Sequence, residues 1–263
     1  MGRVTKGITL KQGFTLVELS IVIIIIGFLI AGISAGTSLI KQAEINSIIS
    51  DIQNNQTSYN NFVLRYGAVP GDMADAVAYF NNCAATNTKC NGNGNGLIEF
   101  ATGLPDETYS AWRVLSLANM ISAGIVLIPD SWVGVELLGS TIPVSKITGA
   151  GYIMSGPNFN FGAGTLSPWV DGLTNAVFIG KVSTTGLGNA VLKPEDSFNI
   201  DKKVDDGSID VTGAFAGGIT GNFRSTGGAD AVVAIGATAC SDVNGHYTLT
   251  TLQPACVSGL ALN

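Results

Sequence analysis

Residues 11–30 read KQGFTLVELSIVIIIIGFLI, an apolar run entered through one carboxylate, Glu18. From residue 19 to residue 40 there are 22 positions without a charge. At 1.5 Å per residue a helix of that length covers the roughly 30 Å hydrocarbon core of a bilayer. The run therefore reads as a transmembrane helix at about residues 19–40. Arg3, Lys6 and Lys11 precede it with no acidic residue among them, and the positive-inside rule holds such a flank in the cytoplasm. Everything after Lys41 then lies outside. A secretory signal peptide has the same basic start and apolar centre, but its apolar region spans only about 7–15 residues. Here the run is longer, and Leu29 and Ile33 fall where a cleavage site wants small residues.

Composition sets the outer bounds. The 263 residues suffice for one large domain or two small ones. Charged residues make up 12 %, about half the usual share of roughly 25 %. The 34 glycines exceed the usual share of about 7 % and point to many turns. A formal charge of −6 with no lysine-rich or arginine-rich block argues against a direct nucleic-acid partner.

A carboxylate within a membrane segment is costly and is normally partnered or placed near the interface. Glu18 stands in the string Gly13, Phe14, Thr15, Leu16, Val17, Glu18, Leu19, with basic residues before it and the apolar run behind it. That string resembles the leader of the type IV pilins and of the pseudopilins of type II secretion systems. The resemblance implies cleavage by a prepilin peptidase between Gly13 and Phe14, N-methylation of the new terminal Phe14, and Glu18 in the place of the family's glutamate, fifth in the mature chain. Cutting exposes a cationic amine on Phe14, and an acid close to it in a low-dielectric setting gains a partner. In the family that pairing is thought to join neighbouring subunits, which makes Glu18 an assembly residue. Removal of the leader takes away Arg3, Lys6 and Lys11, so the net charge goes from −6 to −9.

The implied partners are prepilin peptidase, other pilin subunits in a homo- or hetero-oligomeric filament, inner-membrane assembly machinery, and lipid. The implied location is the bacterial inner membrane as a single-pass protein before assembly, and an extracellular or periplasmic filament afterwards. Gly27, Gly32 and Gly36 punctuate the apolar run. The last two form a small-xxx-small pair that lets helices approach closely in lipid, and mere tolerance of glycine in membrane helices remains the alternative. GISAG at residues 32–36 matches a hydrolase nucleophile pattern, but that motif needs a strand-to-helix turn and this serine lies in the membrane run.

Beyond the membrane run, Ile45, Ile48, Ile49, Ile52, Tyr59, Phe62, Val63 and Tyr66 recur at spacings of three, four and seven. The pattern is an amphipathic helix with Gly67 as its stop. One helical rod over residues 14–66 would be about 80 Å long at the standard rise. Pro70-Gly71 then marks a turn, so the domains expected are a leader at 1–13, a long helix at 14–66 and an extracytoplasmic head at 67–263. The expected fold class is α+β: a long helical spine packed on a β-rich head with short helices. Candidate helices in the head are 73–80, 106–121 and one following Pro194, in which Glu195, Asp196, Lys202 and Lys203 oppose the helix dipole and Gly207 follows the end. Candidate strands are GIVLIP, YIMSG, AVFIGKV and AVVAIGA. Residues 200–213, IDKKVDDGSIDVTG, resemble a stretch of larger prepilin-type proteins less specifically than the leader does, and their acidic residues read as structural.

Cys83, Cys90, Cys240 and Cys256 lie outside the cytoplasm in this topology, where disulfides persist. Pairing Cys83 with Cys90 and Cys240 with Cys256 closes the shortest loops. Unbridged cysteines or a zinc site are the alternatives. Zinc lacks a CxxC spacing, and the single histidine, His246, sits in an apparent turn. The second loop also falls where many type IV pilins carry a disulfide-bounded region. After Cys90, NGNGNGLIEF places Asn91, Asn93 and Asn95 like the alternating ligands of a calcium loop. The first ligand is not Asp, and the twelfth position is Thr102 rather than Glu. The same repeat is a strong turn signal by itself, so a Ca²⁺ site and a plain turn both stand.

Two function classes remain. One is a filament subunit serving adhesion, motility, DNA uptake or protein secretion, as a pilin or as a minor pseudopilin. The other is an exported binding domain or enzyme on a simple anchor. The chain has no HExxH, no phosphate loop and no nucleophile with a base, so catalysis is not expected.

Overall fold

The computed structural model describes residues 13–81, 83, 90–99, 107–122, 124–125, 138–157, 175–183, 186–205, 222–227, 240 and 247–262. The chain divides into two compact units, Met1–Ala43 and Glu44–Asn263. Helix α1, Leu16–Tyr66, belongs partly to each.

Among the described residues of the first unit, the side chains of α1 are largely exposed. Ile23, Phe28, Leu29 and Ile33 are all exposed. Among the described residues α1 is the one helix long and apolar enough to cross a membrane. A helix apolar on every side is shaped for burial in lipid or among other helices rather than for water.

In the second unit α1 becomes one-sided. Ile45, Ile48, Ile52, Tyr59 and Phe62 are buried, and Ile49, Val63 and Tyr66 pack at their margins, as the spacing predicts. Two polar residues, Asn55 and Ser58, are buried in the same stripe. The helix ends where expected. Gly67 adopts φ 66° and donates its N–H to the Val63 carbonyl at 2.8 Å, the left-handed stop that glycine makes without strain.

The head begins with the turn through Pro70 and Gly71 and a single helical turn, α2, Ala76–Tyr79. Helix α3 covers Glu107–Leu117, shorter than the expected 106–121. Asn119 takes φ 56° and Met120 N–H returns to the Leu115 carbonyl at 3.0 Å, so an Asn in the left-handed region stops the helix before Ile121; Asp106 lies outside the described residues. Strands β1 (Ala150–Ser155), β2 (Ala176–Ser183), β3 (Gly186–Asn189), β4 (Phe223–Gly227) and β5 (Cys256–Ala261) form an antiparallel sheet ordered β1-β2-β5-β4, with β3 also on β2. Two expected strands, YIMSG and AVFIGKV, fall in β1 and β2. AVVAIGA and most of GIVLIP lie outside the described residues.

Helix α4, Pro194–Val204, has Pro at its start, Glu195 and Asp196 in the first turn and Lys202 and Lys203 in the last, the charge order that favours the helix dipole. Gly207 lies outside the described residues. In the sheet, Tyr152 opposes Ile179, Ile179 opposes Ser258, and Ser258 opposes Ser225. Opposed residues share a face, so this row runs straight across the sheet. Its hydroxyls meet helices. Tyr152 donates to Asp51 of α1 at 3.1 Å, and Ser258 lies 3.0 Å from Ser197 of α4. On the other face Gly259 opposes Phe178, and a Cβ at Gly259 would come 2.6 Å from that ring. Glycine is needed there for close approach. Both local disulfides form: Cys83–Cys90 with Cα atoms 5.9 Å apart and Cys240–Cys256 with Cα atoms 5.0 Å apart.

Candidate functional site: the processing and assembly segment

Residues 13–15, just before α1, are exposed. Gly13 and Phe14 are exposed and non-helical, and Phe14 is 88 % exposed.

Glu18 sits in the first turn of α1 and already has a partner. Its Oε2 accepts the Thr15 backbone N–H at 2.8 Å and the Thr15 hydroxyl at 2.8 Å. In return Thr15 Oγ1 accepts the Glu18 N–H at 3.2 Å. This is a reciprocal capping box, which satisfies N–H groups that a helix start leaves orphaned. The signal was present in the sequence as Thr-x-x-Glu immediately before an apolar run. The resemblance pairs Glu18 with the amine that cutting would release, and the Thr15 cap was not anticipated. In this chain the carboxylate is a helix cap; cleavage between Gly13 and Phe14, which the resemblance implies, would free an amine one residue before the capping threonine. Further along, a Cβ at Gly27, Gly32 or Gly36 would meet nothing within 4 Å. The Gly32/Gly36 face is open.

The asparagine repeat is organised around carboxylates that sequence reasoning did not select. Asp72, buried, accepts the Gly94 N–H at 2.6 Å and the Asn95 N–H at 3.2 Å on Oδ1, and the Gly96 N–H at 2.6 Å on Oδ2. Glu107 accepts from Asn93 N–H at 3.0 Å and Glu99 N–H at 2.8 Å. Successive backbone N–H groups thus converge on an anion, as in an anion-binding nest, and the anion is the protein's own. The side-chain oxygens of Asn91, Asn93 and Asn95 each accept a backbone N–H, from Val77, Asn95 and Leu97. The Asn93 and Asn95 bonds, to N–H groups two residues on, are those of asparagine turns; the Asn91 bond reaches back to α2 across 14 residues. Asn93 and Asn95 turn their amide N–H groups toward Glu99 Oε2. Among the described residues no group of three or more His, Cys, Asp or Glu is placed to hold a metal ion. Thr102 and His246 lie outside the described residues. Burial pushes the Glu107 carboxyl up to about 7, against the pull of its two N–H donors and with help from the charges on Asp72 and Glu99.

Residues 8–34 match the prokaryotic N-terminal methylation motif. The chain carries the prepilin motif of the type IV pilins and pseudopilins. The matched stretch contains Gly13, Phe14, Thr15 and Glu18 and ends within the apolar half of α1. It marks the chain as a pilin-like or pseudopilin substrate of prepilin peptidase, to be assembled with pilin machinery. With the apolar half of α1, it indicates membrane anchoring before assembly. No curated protein and no solved structure matches the chain.

Proposed function

We propose that this prepilin is a non-catalytic structural subunit of a type IV pilus or pilus-like filament, cut between Gly13 and Phe14, methylated on Phe14 and drawn from the inner membrane into a helical fibre. The observation that carries the reading is the methylation motif at residues 8–34 laid directly onto an exposed segment and an uncovered apolar helix. In the filament Glu18 exchanges a local partner for the Phe14 amine of a neighbouring subunit, and the Gly32/Gly36 pair allows the helices to close on one another. A head with two disulfides suits an extracytoplasmic place.

A second reading, a minor pseudopilin of a type II secretion system, is favoured by the size of the head, which is large for a bulk pilus subunit. An exported binding domain or enzyme on a plain anchor is the remaining class. Mass spectrometry of the protein from its native membrane tests the proposal: the expected mature terminus is N-methylated Phe14. A terminus at Met1 would leave only the anchor reading. Quantifying the protein in purified filaments then separates bulk from minor subunits.

A further inference from the structure

In the second unit, the buried stripe of α1 runs through Ile48, Ile52, Asn55, Tyr59 and Phe62. Asn55 breaks its apolar character. Its neighbour Ser58 is paired, with Oγ 2.8 Å from the Asn54 carbonyl and 2.9 Å from the Met120 carbonyl. Asn55 is only 9 % exposed, and its amide makes no hydrogen bond among the described residues. Its amide is nevertheless reached by solvent, since among the described residues Trp112 Nε1 is the one fully buried side-chain polar atom without a partner.

What remains exposed of Asn55 opens onto a groove of about 670 Å³, within the roughly 300–1,000 Å³ range of small-molecule sites. Asp51, Asn54 and Asn61 line it from α1, Ser122 from the segment after α3, and Tyr152 from β1. Tyr152 donates to Asp51 Oδ2, which orients the carboxylate and leaves Oδ1 able to accept. Among the described residues no Lys, Arg or His lines the groove.

We propose that this groove binds a neutral, hydroxyl-rich ligand, a saccharide. Each carboxamide offers a donor and an acceptor side by side, the complement of two adjacent hydroxyls, and Asp51 accepts from a third. Pro143 and Val144 supply an apolar wall for the C–H face of a sugar ring. Phosphates, sulfates and uronic acids would meet Asp51 with no cation to balance them. An extended peptide would want separate apolar pockets for its side chains; here, beside Met120, Ile121, Pro143 and Val144, eight lining residues carry an amide, hydroxyl or carboxylate. The groove lies wholly within the second unit, so the proposal stands independently of filament assembly.

Saturation-transfer NMR on the full chain, held in micelles of a detergent without a sugar headgroup, tests it. The probes are glucose, galactose, mannose, N-acetylglucosamine, their common disaccharides, glucuronic acid and a neutral tetrapeptide. Saturation should reach at least one neutral saccharide and neither glucuronic acid nor the peptide. Asn55→Ala should weaken that binding about tenfold, as expected for one buried hydrogen-bonding group. Because Asn55 is buried, Asn61→Ala, an exposed change, serves as the second variant and should weaken binding at least threefold with an unchanged circular dichroism spectrum. Silence from every neutral saccharide, transfer only to glucuronic acid or the peptide, or unaltered affinity in a folded Asn61→Ala protein would each overturn the proposal.

Discussion

Asp72 Oδ2 accepts the Gly96 N–H at 2.6 Å, closing the asparagine repeat around a buried carboxylate. The contact spans 24 residues and is repeated by Gly94 and Asn95 on the other oxygen. Asp72→Ala would leave three backbone N–H groups without their acceptor. At about 1 kcal/mol for each bond, and with some relief from water at the loop's exposed side, the loss should be about 2–3 kcal/mol. Urea unfolding of the full chain in micelles checks it. Gly92→Ala should act in the same direction, because a Cβ there would collide with the Asp72 main chain.

Glu107 makes stability depend on pH in an unusual direction. Its carboxyl is raised from the ordinary 4.5 to about 7. Between those values the folded chain holds a proton that the unfolded chain has released, so this group's contribution is complete below about 4.5 and is lost as pH rises through about 7. The thermal midpoint should therefore fall between pH 5 and pH 7.5, and Glu107→Gln should flatten that fall. A slope of the same size in the variant would assign the effect to other groups.

The two disulfides close loops of different length, with sequence separations of 7 and 16. Chain-entropy reasoning gives about 2.5 kcal/mol for the shorter and about 3 kcal/mol for the longer. Removing Cys240–Cys256 should cost more than that difference, because Cys256 also opens β5, where it opposes Gly227 and its backbone pairs with Leu192. Melting Cys240→Ser/Cys256→Ser beside Cys83→Ser/Cys90→Ser, with wild type as reference, compares them. All four sulfurs belong to buried residues, so reduction by external thiol should be slow until the head is partly unfolded.

The cap that Glu18 forms and the assembly role proposed for it can be separated by substitution. Glutamine is also a capping-box residue, so Glu18→Gln keeps the cap on Thr15 and deletes the charge, whereas Glu18→Ala deletes both. Membrane insertion should survive in either variant, since the apolar run is untouched. Filament incorporation should drop several-fold in both if the charge is what the Phe14 amine of the neighbour meets. Wild-type incorporation of Glu18→Gln would assign the function of this position to capping alone.

Much of this was legible along the chain because it is local. The charge-free run, the stripe from Ile45 to Tyr66, the stop at Gly67, the charges at the ends of α4 and the short-range cysteine pairs all depend on neighbours within a few turns. Strand β5 was not legible: Ser258 and Gly259 interrupt its apolar character, yet all six residues are buried, because Ser197 and Ser225 answer the hydroxyl and Phe178 covers the glycine. Asn175 is a similar case. It accepts the Ile98 N–H at 2.8 Å and donates to Tyr59 Oη at 3.0 Å, linking segments 77 and 116 residues away, which no local pattern announces.

Sequence alone determined that this chain has a cleavable leader motif, a membrane-length helix and a spine that continues to Tyr66, since periodicity, charge placement and turn residues encode these at short range. Only the tertiary structure decided which buried polar groups find partners: Asp72 gathers the asparagine loop, Asn175 bridges Ile98 and Tyr59, and Asn55 faces a groove unpaired. Hydrogen bonding is directional and short-ranged, so its outcome is settled only when burial has brought distant segments within about 3 Å of one another.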